Sequence, residues 1–233
     1  MKIGILQCDR VLDELNEQFC DYPQMFIQRM RRVESELTFS VYNIQAGQYP
    51  ELDDCDAYIT TGSRHGVNDD LEWVRDFRRF IAFLDKAKKK CVGICFGHQL
   101  IASVLGGEVV RSHKGWGVGI AETEVVAVQP WMKPSVSKIN MLVSHKDQVI
   151  TLPEQAEVLL RSNFCPYFMV QYSPHMMSLQ GHPEFSREYS AALMQVREKD
   201  ISTDRVGDAL ESLYLPLDGD LMMSWIIRFL KAQ

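Results

Sequence analysis

A β-branched apolar run that ends at a glycine-flanked cysteine constrains this chain more than any other feature. The stretch is CVGICFGHQLIASVLGG, residues 91–107, and Gly93, Cys95 and Gly97 give the pattern G-x-C-x-G. A strand that passes at once into a helix needs a tight turn, and glycines beside the turn residue leave room for it. The residue at such an elbow stands at the mouth of the sheet, which suits a nucleophile. A buried cysteine closing a core strand satisfies the same five residues, so the pentapeptide alone leaves both readings open.

The rest of the chain repeats the strand-then-helix theme. KIGIL near the start, LTFSVYNI, and DAYITTGS at 56–63 read as strands; PQMFIQRMRRVESE between the first two reads as a helix after a polar loop. Residues 69–90 form the clearest helical pattern, with Trp73, Phe77, Phe80, Ile81 and Leu84 at spacings of three and four. Lys86, Lys88, Lys89 and Lys90 crowd its end, where cations suit the helix dipole. The segment from Gly97 to Leu105 is expected to be the helix after the elbow. Strands alternating with helices imply an α/β fold: an open, mostly parallel, doubly wound sheet with helices on both faces.

VGIAETEVVAV, INMLVS, AEVLLRS and YFMVQYS are strand-like with short links, and suit a small antiparallel add-on. HMMSLQGHPE is one more strand, and helices are expected near 186–198, 206–214 and 220–231. The 233 residues are long enough for one substantial core, and no repeat or Pro/Gly/Ser linker divides them. One domain over 1–233 is expected, with a core to about residue 195 and C-terminal helices over 196–233.

A net charge of −6, spread along the chain, argues against a nucleic-acid footprint. No apolar run approaches the roughly 20 residues that span a bilayer, and MKIGILQCDR is too short in its apolar part for a secretory signal. Six cysteines, unevenly spaced and without a C-x-x-C pair, suggest neither a disulfide framework nor a zinc site. A reducing, cytoplasmic location is expected.

A free thiol, with a pKa near 8.5, is only a few per cent thiolate at neutral pH, so a nucleophilic Cys95 needs a base. His98 lies on the first turn after the elbow and faces helix or solvent in this reading. His182 is better placed: it ends the strand SLQGHPE, at the strand terminus where sites form in doubly wound sheets. Pro183 holds it extended, and residues two apart project to one side of an extended segment, so Glu184 can reach the imidazole. A carboxylate there fixes the tautomer and stabilises the imidazolium. H-P-E taken alone would equally describe a strand end with an exposed glutamate.

GICFGHQ (93–99) and QGHPE (180–184), together with TTGSRHG (60–66) and SHKDQV (144–149) in the same order, resemble the class I (triad) glutamine amidotransferase domain. The likeness runs from the first strand to about residue 190, and is strongest to stand-alone members similar to the glutaminase half of GMP synthetase and to plant γ-glutamyl peptidases. It implies a flavodoxin-like sheet and a Cys95–His182–Glu184 triad, with an oxyanion held by the backbone N–H groups of Gly62 and Phe96. It also implies that Gln99, and the backbone around Ser144 and His145, hold the α-amino and α-carboxylate groups of glutamine or another γ-glutamyl small molecule. No cofactor or metal is implied.

The chain departs from the family pattern at Thr61 and Ser63–Arg64, where many members have a glycine and a proline, and at Gly181, where many have phenylalanine. These changes shape the pocket mouth, so the leaving group need not be ammonia. Arg64 and His65 are candidates for a second carboxylate, and Trp116 for the mouth, although a packed aromatic and a solvated loop explain them as well. Cys91 is expected in the core, and Cys8, Cys20, Cys55 and Cys165 receive no role. Three readings follow: a γ-glutamyl amide hydrolase, a glutaminase subunit feeding a separate synthase partner, and a redox-sensing or chaperone-like cysteine protein. The chain carries neither a P-loop nor an S-G-G-x-D-S loop, so the synthase half of GMP synthetase is not in it.

Overall fold

Apolar runs without polar alternation form the centre of one large sheet in the computed structural model, which describes residues 1–232. β1 (Lys2–Gln7) is buried along most of its length, whereas β2 (Thr38–Asn43), which alternates, takes the half-exposed edge beside it. β3 (Ala57–Thr60) and β4 (Lys90–Ile94) are buried on both faces, as strands between helix layers must be. Between them run α1 (Asp13–Phe19), α2 (Tyr22–Val33) and α3 (Glu72–Lys86), with α4 (Phe96–Val104) after the elbow.

The second half contributes β5 (Glu108–Arg111), β6 (Gly117–Val125), β7 (Lys138–His145), β8 (Asp147–Thr151), β9 (Glu157–Arg161), β10 (Met169–Ser173) and β11 (Met176–Leu179). α5 (Arg187–Val196), α6 (Thr203–Ser212) and α7 (Gly219–Lys231) close the chain. The strand order is β2-β1-β3-β4-β11-β10-β9-β6-β7. From β2 to β11 every neighbour is parallel, and from β11 to β7 every neighbour is antiparallel. β5 and β8 pair apart from this sheet, antiparallel to each other.

Helices cover both faces. Ile3, Ile5 and Val92 face Phe26 and Met30 of α2 and Trp225 and Phe229 of α7 in one apolar cluster. Leu6, Tyr58 and Cys91 face Val74, Phe77 and Ile81 of α3 and Leu100 of α4 in the other. The helix expected over 69–90 is shorter at both ends. It starts after Leu71, and Lys88 takes a left-handed φ of 56° that breaks it. Lys90 joins β4, which leaves Lys86 as the cation of the last turn. α1 occupies what reads as a polar loop; Leu15 is its one buried residue, too little for a periodic signal.

Candidate active site

Cys95 sits between β4 and α4 with φ 51° and ψ −95°, a conformation that L-residues avoid. Its surroundings over-determine it. The Cys95 N–H donates to Leu179 O at 2.9 Å and the Ile94 N–H to Thr60 Oγ1 at 3.0 Å. A Cβ on Gly93 would stand 2.5 Å from Gly97 O, and one on Gly97 would stand 1.8 Å from Thr60 Oγ1. The two glycines are therefore a requirement of close approach: α4 lies directly against β4 and β3, and no side chain fits between them.

β11 inserts beside β4 and carries the chain to His182, whose N–H donates to Leu142 O at 2.8 Å. His182 Nδ1 lies 2.7 Å from Glu184 Oε1, and the side chains are 5% and 0% exposed. With a carboxylate as its only acceptor there, Nδ1 carries the proton and Nε2 is left to face the thiol. Phe185 stacks on the imidazole at 3.9 Å between centroids. Burial alone would lower the His182 pKa, but the charges of Glu184 and Cys95 outweigh it and raise the value to about 10.

The Cys95 thiol points toward Ser144 O at 4.0 Å, the outer limit for a sulfur donor. The Cys95 side chain nevertheless lies close enough to His182 to help raise its pKa, by hydrogen bonding as well as by charge, without a contact that meets strict hydrogen-bond geometry. Such contacts commonly tighten only when substrate is bound.

Gly62 completes the group. A Cβ there would meet His182 Cε1 at 2.9 Å and Cys95 Cβ at 3.7 Å, so this turn touches both. Among the described residues neither the Gly62 nor the Phe96 N–H donates to a protein acceptor. Thr61 Oγ1 accepts from the Cys8 N–H at 2.9 Å and donates to Gly62 O at 3.0 Å, which anchors the turn to the end of β1. Beyond it, the Arg64 N–H and Nε both donate to Asp9 Oδ2 at 2.8 Å, and Arg64 Nη2 donates to Arg10 O at 3.0 Å.

The remaining expected residues occupy the rim and wall. Gln99 lines the cleft, but its Nε2 donates to Asp147 O at 2.8 Å and Gln180 Oε1 at 3.1 Å. Ser144 Oγ accepts from Arg197 Nη1 at 2.7 Å. His145 is buried against Phe164, and burial pushes its pKa down to about 3, which leaves the ring neutral. His98 is likewise buried and pushed down to about 3, with Nδ1 on Ser178 Oγ at 2.7 Å, well suited to packing and not to proton exchange with Cys95. Cys91 lies in the core, its thiol pushed up to about 12 by burial.

Trp116 is half-buried at the mouth, with the Arg197 guanidinium 5.4 Å and Lys146 Nζ 5.8 Å from its ring centroid. His65 packs edge-on against Trp73. Cys95, Phe96, Ser144, Trp116 and Arg197 line a common space of about 30 Å³.

Two residues of this site escape sequence reading. Asp9 follows the C-terminal end of β1, a position that the rule on strand ends flags. Arg197 follows a helix whose pattern says nothing of the cleft. Among the described residues no cluster of three metal-ligating side chains occurs, and no helix is long and apolar enough to cross a membrane.

Residues 20–195 match the family described as glutamine amidotransferase class-I. Gamma-glutamyl peptidase 3 of Arabidopsis thaliana is 31% identical over 159 residues, 64% of this chain and 64% of that protein. The chain thus spans under two thirds of the length of the plant relatives it matches. A glutamine-hydrolyzing GMP synthase subunit of Pyrococcus furiosus is 29% identical over 62% of this chain and 77% of that protein. In the fold alone, a glutamine amidotransferase from Thermotoga maritima superposes with a TM-score of 0.76 at 18% identity, over 98% of this chain and 96% of that one.

Proposed function

Because the chain belongs to the class I glutamine amidotransferase family, we propose that it hydrolyses the γ-glutamyl amide bond of glutamine or a larger γ-glutamyl compound, with Cys95 as nucleophile. The observation that carries this reading is the buried His182, held by Glu184 at 2.7 Å on one side and meeting Cys95 at the Gly62 turn on the other. In this reading the proton of the thiol already rests on His182 Nε2, as an imidazolium held by Glu184, and the thiolate adds to the γ-carbonyl carbon. The developing oxyanion is received by the free N–H groups of Gly62 and Phe96. The imidazolium then gives its proton to the leaving nitrogen as the C–N bond breaks, leaving a glutamyl thioester and a free amine. Water, deprotonated by His182, adds to the thioester; glutamate leaves and the thiol is restored.

The fit at Gly62 supports this assignment, since any side chain there would press on the His182 ring. The phenyl ring of Phe185 and the lack of exposure at Glu184 keep the base dry, which strengthens its interaction with the carboxylate.

A glutaminase subunit that waits for a synthase would use the same groups but would be idle alone. The Arg64–Asp9 pair favours the self-sufficient enzyme, because the Gly62 turn is braced from within the chain. Assay of the purified protein on glutamine and γ-glutamyl dipeptides, with ammonia and amine release followed separately, tests this. Turnover by wild type and none by Cys95→Ser is the expected result. An active Cys95→Ser protein removes the nucleophile from the scheme, and an inert wild type moves the reading to the partner-dependent subunit.

A further inference from the structure

The ring of Phe185 lies on the imidazole of His182 with 3.9 Å between centroids and 8° between planes, the closest and flattest ring contact among the described residues. Neutral aromatic pairs sit about 4.5–7 Å apart, offset or edge-on, and avoid a flat sandwich. A sandwich suits a ring that carries positive charge, because the phenyl face is the negative end of its quadrupole.

Phe185 is itself held from several elements. Tyr22, in the first turn of α2, lies nearly parallel to it at 6.1 Å and 17°, and Tyr189 of α5 stands edge-on at 4.6 Å and 74°. The Tyr189 hydroxyl donates to the Tyr22 hydroxyl at 3.0 Å, which ties the two supports together. The Phe185 carbonyl accepts from Arg29 Nη2 at 2.9 Å, and Arg29 Nη1 donates to Asp220 Oδ1 in the first turn of α7 at 3.0 Å. Such bracing makes the phenyl ring a wall of fixed orientation. The bond from Nδ1 to Glu184 fixes one point of the imidazole but does not set its plane; the wall does.

Resting on the hydrolase reading above, we infer that Phe185 is a positioning residue for the base. Its ring sets the plane of His182 and favours the imidazolium through its π face, so that Nε2 is turned toward Cys95 before substrate arrives.

The titratable groups that face His182 are Glu184 from its own segment, Cys95 from the elbow and His145 from β7. His145 is neutral, and burial pushes the phenol of Tyr22 up to about 12 and that of Tyr189 up as well. The charge on His182 is therefore balanced by Glu184 and Cys95, and Phe185 adds a neutral surface that favours the same charge.

The test follows the His182 ring by NMR titration, and kcat and KM on glutamine and γ-glutamylglycine. It compares wild type, Phe185→Leu, and a series in which the Phe185 ring is fluorinated stepwise. Fluorine drains the π face while the ring keeps its flat shape. Phe185→Leu is expected to lower kcat about ten- to a hundredfold with KM within about twofold. It should also move the His182 midpoint, about 10 in wild type, down by about half to one and a half pH units. Each added fluorine moves the midpoint down again, while kcat stays closer to wild type because the wall remains. If Phe185→Leu fails to fold, the fluorinated series decides alone. A midpoint unmoved across that series, or a Phe185→Leu loss confined to KM, would overturn the proposal. Wild type inert on both substrates defeats the hydrolase reading, and this proposal with it. An active wild type whose Phe185 variants keep its kcat and midpoint defeats this proposal alone.

Discussion

On one side of the cleft, Gly62, Cys95 and His182 follow the ends of β3, β4 and β11, three adjoining parallel strands. Close contacts that leave no room for an added atom fix this side: Gly97 against the Thr60 side chain, Gly62 against the His182 ring, and Cys95 in a strained turn pinned to Leu179. On the other side, Ser144, Lys146, Trp116 and Arg197 come from the antiparallel half and from the end of α5. They meet through one side-chain hydrogen bond and two cation–ring contacts. In the proposed reaction the parallel side holds the reacting groups, whereas the antiparallel side offers long side chains whose contacts are individually weak and open to exchange.

Changes on the parallel side should therefore cost far more. His182→Ala removes the base and should lower kcat by on the order of 10⁶, whereas Glu184→Gln, which keeps the imidazole but not the charge behind it, should lower kcat by on the order of 10⁴. Steady-state rates for the two variants, with circular dichroism to verify folding, give the comparison. Equal small losses in both would mean that proton transfer runs through another group.

Asp9→Asn is a milder disturbance of the same side. It weakens two hydrogen bonds at 2.8 Å that tie Arg64 to a carboxylate 6% exposed. A stability loss of about 1–3 kcal/mol in chemical denaturation is expected, with a drop in kcat of up to about tenfold as the Gly62 turn loosens. Full stability with unaltered kcat would assign the bracing to Thr61 alone.

The last effect is a pH dependence. The folded-state pKa of His182, about 10, lies above the ordinary value of 6.5. Its contribution to stability is thus fully present below pH 6.5 and is lost as pH rises through about 10. The difference in unfolding free energy between wild type and His182→Gln should shrink steadily from pH 6.5 to 10. A difference that grows over that interval would mean that the imidazole is neutral in the fold.

Much of the parallel side was legible in the sequence because its signals are local. G-x-C-x-G ties a strand, a turn and a helix within a few residues, and H-P-E places His182 and Glu184 two residues apart in an extended segment. What was not legible is long-range. Asp9 and Arg64 meet because β1 and β3 are neighbours with a fixed register, and Trp116 and Arg197 meet because α5 packs against β6 and β7. Nothing in the residues around Arg197 signals this. The pairing of β5 with β8 was hidden for a related reason: SHKDQV reads as a motif, and the strand inside it shows only when its partner is known. α1 was missed because it buries a single side chain.

The order of the strands also has a consequence in time. Cys95 and its glycines can settle against Thr60 once the first hundred residues have emerged, since β3 and β4 pair directly. The base arrives with β11, which must slide in beside β4 after the whole antiparallel half has been made. At roughly 5–20 residues per second of synthesis, the thiol waits several seconds without a partner. For the proposed enzyme, Cys95 therefore gains its base only when the last central strand docks, and folding itself would be the step that arms the nucleophile.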